Sequence, residues 1–154
     1  MTERSKSQID EIGWKILREL QENARIPFAE LGRRVGLSTA AVAERVRRME
    51  DEGIITGYRA EIDAARIGLP ITAFVRLSVI GDLLGRVVNL ARDMPEVLEC
   101  HRVTGQDTFI LKVAVASVEH LEGLLDRFTP YMATTTAIVL SSAVTRRIFE
   151  PVRQ

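Results

Sequence analysis

Residues 27–53, PFAELGRRVGLSTAAVAERVRRMEDEG, decide the fold. Pro27, with its fixed φ, suits the first turn of a helix that carries Phe28, Leu31 and Val35 on one side. Gly36 stops that helix. Ser38 is placed to cap the next one, with Leu37 just before the cap and Val42 four residues after it, the spacing of a hydrophobic staple. Val42, Val46 and Met49 then make one apolar stripe on a helix running to about Glu52, and Gly53 supplies a left-handed stop. Upstream, Ile9, Ile12, Ile16, Leu17 and Leu20 form the stripe of a first amphipathic helix that ends at Asn23-Ala-Arg. Three short helices with a tight Val35-Gly36-Leu37-Ser38 turn predict a helix-turn-helix, whose third helix lies in a DNA major groove. A plain three-helix packing unit is the competing reading.

The two readings differ in what the outer side of the third helix carries. With Val42 turned to the core and 100° per residue, Ala40, Glu44, Arg47 and Asp51 point outward, flanked by Ala43 and Arg48. Small residues let a helix sink into a groove, Arg47 can reach guanine, and Glu44 can accept from a cytosine amino group. Between Arg33 and Arg48 stand Arg33, Arg34, Arg45, Arg47 and Arg48 against the single acid Glu44. This local excess of cationic side chains suits a phosphate backbone. An ordinary Glu44–Arg48 surface pair and a solvated charged face would explain the same letters. Agreement of turn, cap, small-residue face and charge favours DNA.

Beyond Gly53 the pattern changes. Ile54–Ile62 is expected to be extended, a wing or a linking strand, and Ala64–Pro70 a connector. Ile71, Ala73, Val75, Leu77 and Val79 alternate with Thr72, Arg76 and Ser78, which predicts a half-buried strand. A helix from about Leu83 to Arg92 follows. A strand from Val97 to Thr104, a tight turn at Gly105-Gln-Asp, and a strand through Phe109, Leu111, Val113 and Val115 then read as a hairpin. A helix with Leu121, Leu124, Leu125 and Phe128 and a last strand over about Thr134–Ser142 complete the order β-α-β-β-α-β. That order predicts a ferredoxin-like, four-stranded antiparallel sheet with two helices on one face and the other face open to water or a partner. The class is therefore α+β. A helix-turn-helix unit with its expected wing (1–60) is followed by a linker (61–70) and a ferredoxin-like domain (71–154).

The chain has 154 residues, and Lys plus Arg and Asp plus Glu are both 21, so its formal net charge is zero. A uniformly basic coat is excluded, and any polyanion site is a local patch. No apolar run approaches the roughly 20 residues needed to cross a bilayer, and residues 1–13 lack the apolar core of a secretion signal. The single Cys100 makes no internal disulfide, and one cysteine with two histidines is too few soft ligands for a closed zinc site. A cytoplasmic protein without cofactor or metal is expected. Cys100 and His101 are strand neighbours facing opposite sides and cannot form a nucleophile–base pair. A buried Cys100 and a surface His101 are expected, with His120 apart on a helix.

A second candidate site is the hairpin turn. Thr104, Gly105, Gln106 and Asp107 offer a carboxylate, an amide and exposed backbone N–H groups, the donors and acceptors that an amino acid needs. Glycine and aspartate are equally ordinary hairpin builders. Thr134, Thr135 and Thr136 pose the same choice between a polar site and plain strand propensity.

Residues 9–63, together with VLECHRVTGQDTFILKV (97–113) and TTTAIVL (134–140), resemble the Lrp/AsnC family of leucine-responsive and feast/famine regulators over nearly the whole chain. The resemblance implies a winged helix-turn-helix joined to a ferredoxin-like, ACT-like ligand domain, in a homodimer that assembles to tetramers, octamers or larger. It implies pseudo-palindromic promoter DNA as partner and an amino acid or related small metabolite as effector. Ser38, Thr39, Ala40, Ala43, Glu44, Arg47 and Arg48 match the family's recognition helix. Arg33 and Arg34 are added to the DNA-binding set from the local charge, and Thr104, Gly105, Gln106, Asp107, Thr134 and Thr136 make up the effector set. Gly13 stands where an Asp is usual, at a small cost in helix stability. The family's turn reads Gly-x-x-Asp, whereas Gly105-Gln106-Asp107-Thr108 has its acid one place early. The expected function is transcription regulation rather than catalysis. Two alternatives are a ligand-sensing oligomer whose helical head binds protein and a sirohaem-decarboxylase-like enzyme; aromatic residues at 5% leave the latter without its aromatic-rich pocket segments.

Overall fold

The computed structural model describes residues 9–79 and 82–151, and residues 1–8, expected to lack a signal, lie outside the described residues. The chain forms two compact units. In described residues these are 9–61 with 144–151, and 62–79 with 82–143.

The first unit holds α1 (Glu11–Glu22), α2 (Phe28–Val35) and α3 (Thr39–Asp51). Asp10 caps α1 by accepting from the Gly13 N–H at 2.7 Å. Ile16, Leu20, Ile26, Leu31, Val42, Val46 and Met49 make the core, with Leu37 packed against it as the staple requires. Phe28 departs from expectation and is exposed, because the inner side of the short α2 is taken by Leu31 and Gly32. Gly36 adopts the left-handed conformation at φ 75°, which a glycine reaches without a Cβ clash. Gly32 is needed for a different reason: the Leu37 N–H bonds the Gly32 carbonyl at 2.9 Å, and a Cβ on Gly32 would stand 2.5 Å from the Leu37 oxygen.

Residues 54–63 form no strand, so the expected wing or linking strand is absent from the single chain. The Met49 carbonyl accepts from both the Ile54 and the Ile55 N–H and turns the chain back on α3. Tyr58 then donates to Glu50 at 2.8 Å, and its partial burial, followed by that acid, pushes the phenol up to about 12. The C-terminal residues 144–151, expected with the sheet domain, group with this helical unit. There the Gln21 amide exchanges two hydrogen bonds with the Phe149 backbone, at 2.7 and 3.1 Å, and Arg146 pairs with Glu61.

The second unit opens with a 3-10 turn (Ala65–Ile67) in the expected connector and contains β1 (Ile71–Val79), α4 (Leu84–Asp93), β2 (Val97–Arg102), β3 (Phe109–Val115), α5 (Val118–Asp126) and β4 (Met132–Ile138). The sheet order is β2-β3-β1-β4, antiparallel throughout, as the β-α-β-β-α-β pattern predicts. Ala73, Val75, Leu77, Leu111 and Val113 meet Val87 and Ala91 of α4 and Leu121 and Leu124 of α5 in one core. The opposite face of β1 presents Thr72, Phe74, Arg76 and Ser78, of which Phe74 and Arg76 are exposed. The last strand ends at Ile138, earlier than the expected Ser142.

A Gly→Ala change inside a helix ordinarily gains about 1 kcal/mol. Gly32→Ala is expected to lose 1–3 kcal/mol instead, by the usual cost of overpacking, because its obstacle is a backbone carbonyl. Urea unfolding of the full chain checks the sign.

Candidate functional site

The Ser38 hydroxyl accepts from the Ala41 N–H at 3.2 Å, so α3 starts where the sequence places its cap. Val42, Val46 and Met49 are buried, which turns Ala40, Glu44, Arg47 and Asp51 outward with Arg48 beside them, all exposed. Ser38 and Thr39 are exposed at the helix start, and Ala43 is half-buried on the flank. The small residues of the first two turns leave the backbone within reach of a partner surface. The derived outer row is therefore continuous.

The local charge is lower than the run of letters suggests. Arg34 bridges Glu30 at 3.0 Å and Glu19 of α1 at 2.7 Å, Arg33 pairs with Glu30, and Arg45 reaches both oxygens of Asp10 at 2.9 Å. Three of the five arginines thus meet carboxylates that lie outside the counted window. The Glu30 hydrogen bond, then Glu19, holds Arg34 above its ordinary range, and Arg34 in turn holds Glu30 below the carboxylate range. The Gly13 N–H first, and Arg45 second, hold Asp10 low as well. Among the described residues Arg47 and Arg48 form no salt bridge, and the Glu44–Arg48 pair is not made. Arg48 does lie near enough to feel the charge of Asp10. Gly13 is buried at this junction, and a Cβ there would meet Ile9 at 2.8 Å and the Asp10 carboxylate at 3.0 Å, so its smallness is a packing requirement as well as a loss of helix propensity.

In the second unit the turn 103–108 joins β2 to β3, with Gly105 at φ 113°. Thr104, Gly105 and Gln106 are exposed. Asp107 is half-buried against β1, where it accepts from the Ser78 hydroxyl at 3.3 Å and faces the Arg76 guanidinium at 3.9 Å. The Thr108 hydroxyl accepts from the Val79 N–H, which fixes the turn to the same strand. Thr134 and Thr136 do not join this group in one chain. The register pairs them with Leu77 and Val75, on the helix-covered face, and pairs Thr135 with Arg76 on the open face. Strand pairing also reveals what the letters did not: Arg76 belongs beside Asp107.

Cys100 is exposed, contrary to expectation, because β2 is an edge strand. Beside it a cleft of about 850 Å³ runs between α4 and β2, lined by Val88, Met94, Leu98, Cys100 and Phe109 with Arg92 and Arg102. His101 lies on the other face with Glu99, and His120 of α5 accepts from the Ala116 N–H and bonds Glu96, so no nucleophile–base pair is assembled from these residues.

Residues 9–50 match the model of the AsnC-type helix-turn-helix domain and residues 72–149 that of the Lrp/AsnC ligand binding domain. The chain is 40% identical over 142 residues to the proline dehydrogenase transcriptional activator of Rhodobacter capsulatus, spanning 88% of this chain and 92% of that protein. It is 32% identical to the HTH-type transcriptional regulator LrpC of Bacillus subtilis, whose solved structure superposes with a TM-score of 0.86 over 90% of this chain and 99% of that one. A transcriptional regulator of Neisseria meningitidis solved as an L-Met complex superposes with a TM-score of 0.85 at 28% identity, over 91% and 95% of the two chains.

The paired carboxylates set a pH dependence. Asp10 and Glu30 titrate lower when folded than unfolded, so their contribution is complete above the unfolded values near pH 4 and is lost as pH falls through the folded ones. Melting temperature should fall on acidification below about pH 5. Asp10→Asn with Glu30→Gln should flatten that acid limb.

Proposed function

The chain belongs to the Lrp/AsnC family of helix-turn-helix transcriptional regulators, which are not enzymes, and we propose that it reads an inverted-repeat promoter site through the outer row of α3. The observation that carries this reading is the continuous exposed row Ala40, Glu44, Arg47 behind a capped N-terminus, with Arg47 in no salt bridge among the described residues and exposed Arg48 beside it. Arg47 and Glu44 are the base readers, Ala40 and Ala43 let the helix approach, and Ser38, Thr39 and Arg48 address the phosphates. Arg33 and Arg34, tied to Glu30, lend field and position more than direct contact. Work on promoter DNA places the protein in the cytoplasm. Among the described residues no helix is long and apolar enough to cross a membrane.

The sheet unit is a ligand-binding domain by family, and its ligand is proposed to be an amino acid held at the 103–108 turn. Arg76 and Asp107 supply opposite charges for a zwitterion, with Thr104, Gly105 and Gln106 providing backbone and amide groups. Thr134 and Thr136, on the other face of the sheet, can join such a site only from a neighbouring copy. The open face with Phe74 is the surface on which two copies would meet as a homodimer, placing two recognition helices on successive turns of DNA. Further assembly would multiply DNA sites on one particle, and the ligand can shift that assembly only as far as it prefers one state.

Arg47→Ala should weaken binding to a selected promoter duplex by about 1–3 kcal/mol and relax base preference at one position of each half-site, read by gel shift and selection from random duplexes. Unchanged affinity and preference would remove Arg47 from the base readers. Asp107→Ala should abolish the heat of binding of a responsive amino acid in calorimetry, with L-Met the first probe, and leave ligand-free DNA binding intact. Equal ligand affinity in the variant would place the site elsewhere.

A further inference from the structure

Asp10, the N-cap of α1, and Arg45, on α3, stand 35 residues apart in the chain and meet through one guanidinium nitrogen 2.9 Å from each carboxylate oxygen. The same carboxylate already accepts the Gly13 N–H at 2.7 Å, so it is fixed at the start of α1 before Arg45 arrives. Arg45 leaves the flank of α3, between the buried stripe and the outer row, and is the least exposed of the arginines on that helix. Exposed ion pairs contribute little to stability, so a stability role does not explain this arrangement. Orientation does. The apolar stripe of α3 attracts its neighbours without direction, and a helix held by such contacts alone can roll about its axis. A charge-assisted hydrogen bond is directional. For side chains some 6 Å from the helix axis, a roll of about 10° moves the outer row by about 1 Å, enough to spoil a paired hydrogen bond to a base.

We propose that Asp10 and Arg45 are a positioning pair for DNA reading, which sets the roll of α3 and thereby the aim of Arg47 and Glu44, and that Gly13 is small so that the pair can form. Arg45 accordingly does not neutralise phosphate. The inference rests on the DNA-reading role of α3, and its test separates the two.

The full-length protein first selects a duplex from a random pool. Its affinity for that duplex and for a scrambled one is then measured by fluorescence anisotropy across salt. Asp10→Asn keeps an oxygen for the Gly13 N–H and removes the charge that holds Arg45. It should lower the preference for the selected duplex at least fivefold while the melting temperature stays within a few degrees and the salt slope does not fall. Arg45→Gln should lower the preference equally, the double variant should lose no more than either single one, and Gly13→Ala should reproduce the loss with both charges present. A preference within twofold of the parent in Asp10→Asn overturns the pair. So does an Arg45→Gln variant whose salt slope drops by about one on both duplexes, the mark of a phosphate contact. A parent protein with no preference for any selected duplex overturns the DNA-reading role itself.

Discussion

Burial of Val42, Val46 and Met49 against Ile16, Leu20 and Leu31 is the constraint on which the helical unit depends. At roughly 1.5–3 kcal/mol per large side chain, this stripe outweighs any single charged contact around it. Once it is inside, helical geometry decides which residues face outward, to within a small roll of the helix about its axis. The close approach of Gly32 to Leu37 and the left-handed Gly36 bring the end of α2 and the start of α3 together, and the Ser38 cap fixes where α3 begins. The outer row is therefore a consequence of the inner one. Function on this unit is written in the residues that the core does not need.

What was legible in the sequence was local. The cap at Ser38, the glycine stops at 36 and 53 and the stripe of α3 are each decided within a few residues, and all are found in place. The order of strands and helices was legible too, because alternation at Ala73, Val75 and Leu77 and helical spacing at Leu121 and Leu124 are local periods. The set of hydrogen-bonded strands followed from that order through topology.

What was not legible depends on distant partners. Counting charges between residues 33 and 48 could not show that Glu19 and Asp10 come from α1 to meet Arg34 and Arg45. Cysteine's usual preference for the interior predicts a buried Cys100, but β2 is an edge strand, and Cys100 is left exposed. The segment 144–151 reads as more of the sheet domain, and contacts from far along the chain, Gln21 with Phe149 and Glu61 with Arg146, tie it to the helical unit. The threonine run shows the same limit in finer form. Its letters are interchangeable, and register alone separates Thr135 from Thr134 and Thr136.

The Arg76–Asp107 pair bears on which ligands such a turn can accept. Asp107 is half-buried, and its charge is already balanced by a guanidinium. A plain carboxylate that drew Arg76 away would leave a partly desolvated acid without its partner, and a plain amine on Asp107 would leave Arg76 in the same state; both losses oppose binding. A zwitterion brings one charge for each, so the exchange leaves neither group unmatched. At the site proposed here, selectivity for amino acids over their deaminated or decarboxylated relatives would follow from this charge balance before any side-chain contact is considered. Side-chain contacts would then have only to choose among amino acids, and a methylene more or less is worth about 1–3 kcal/mol.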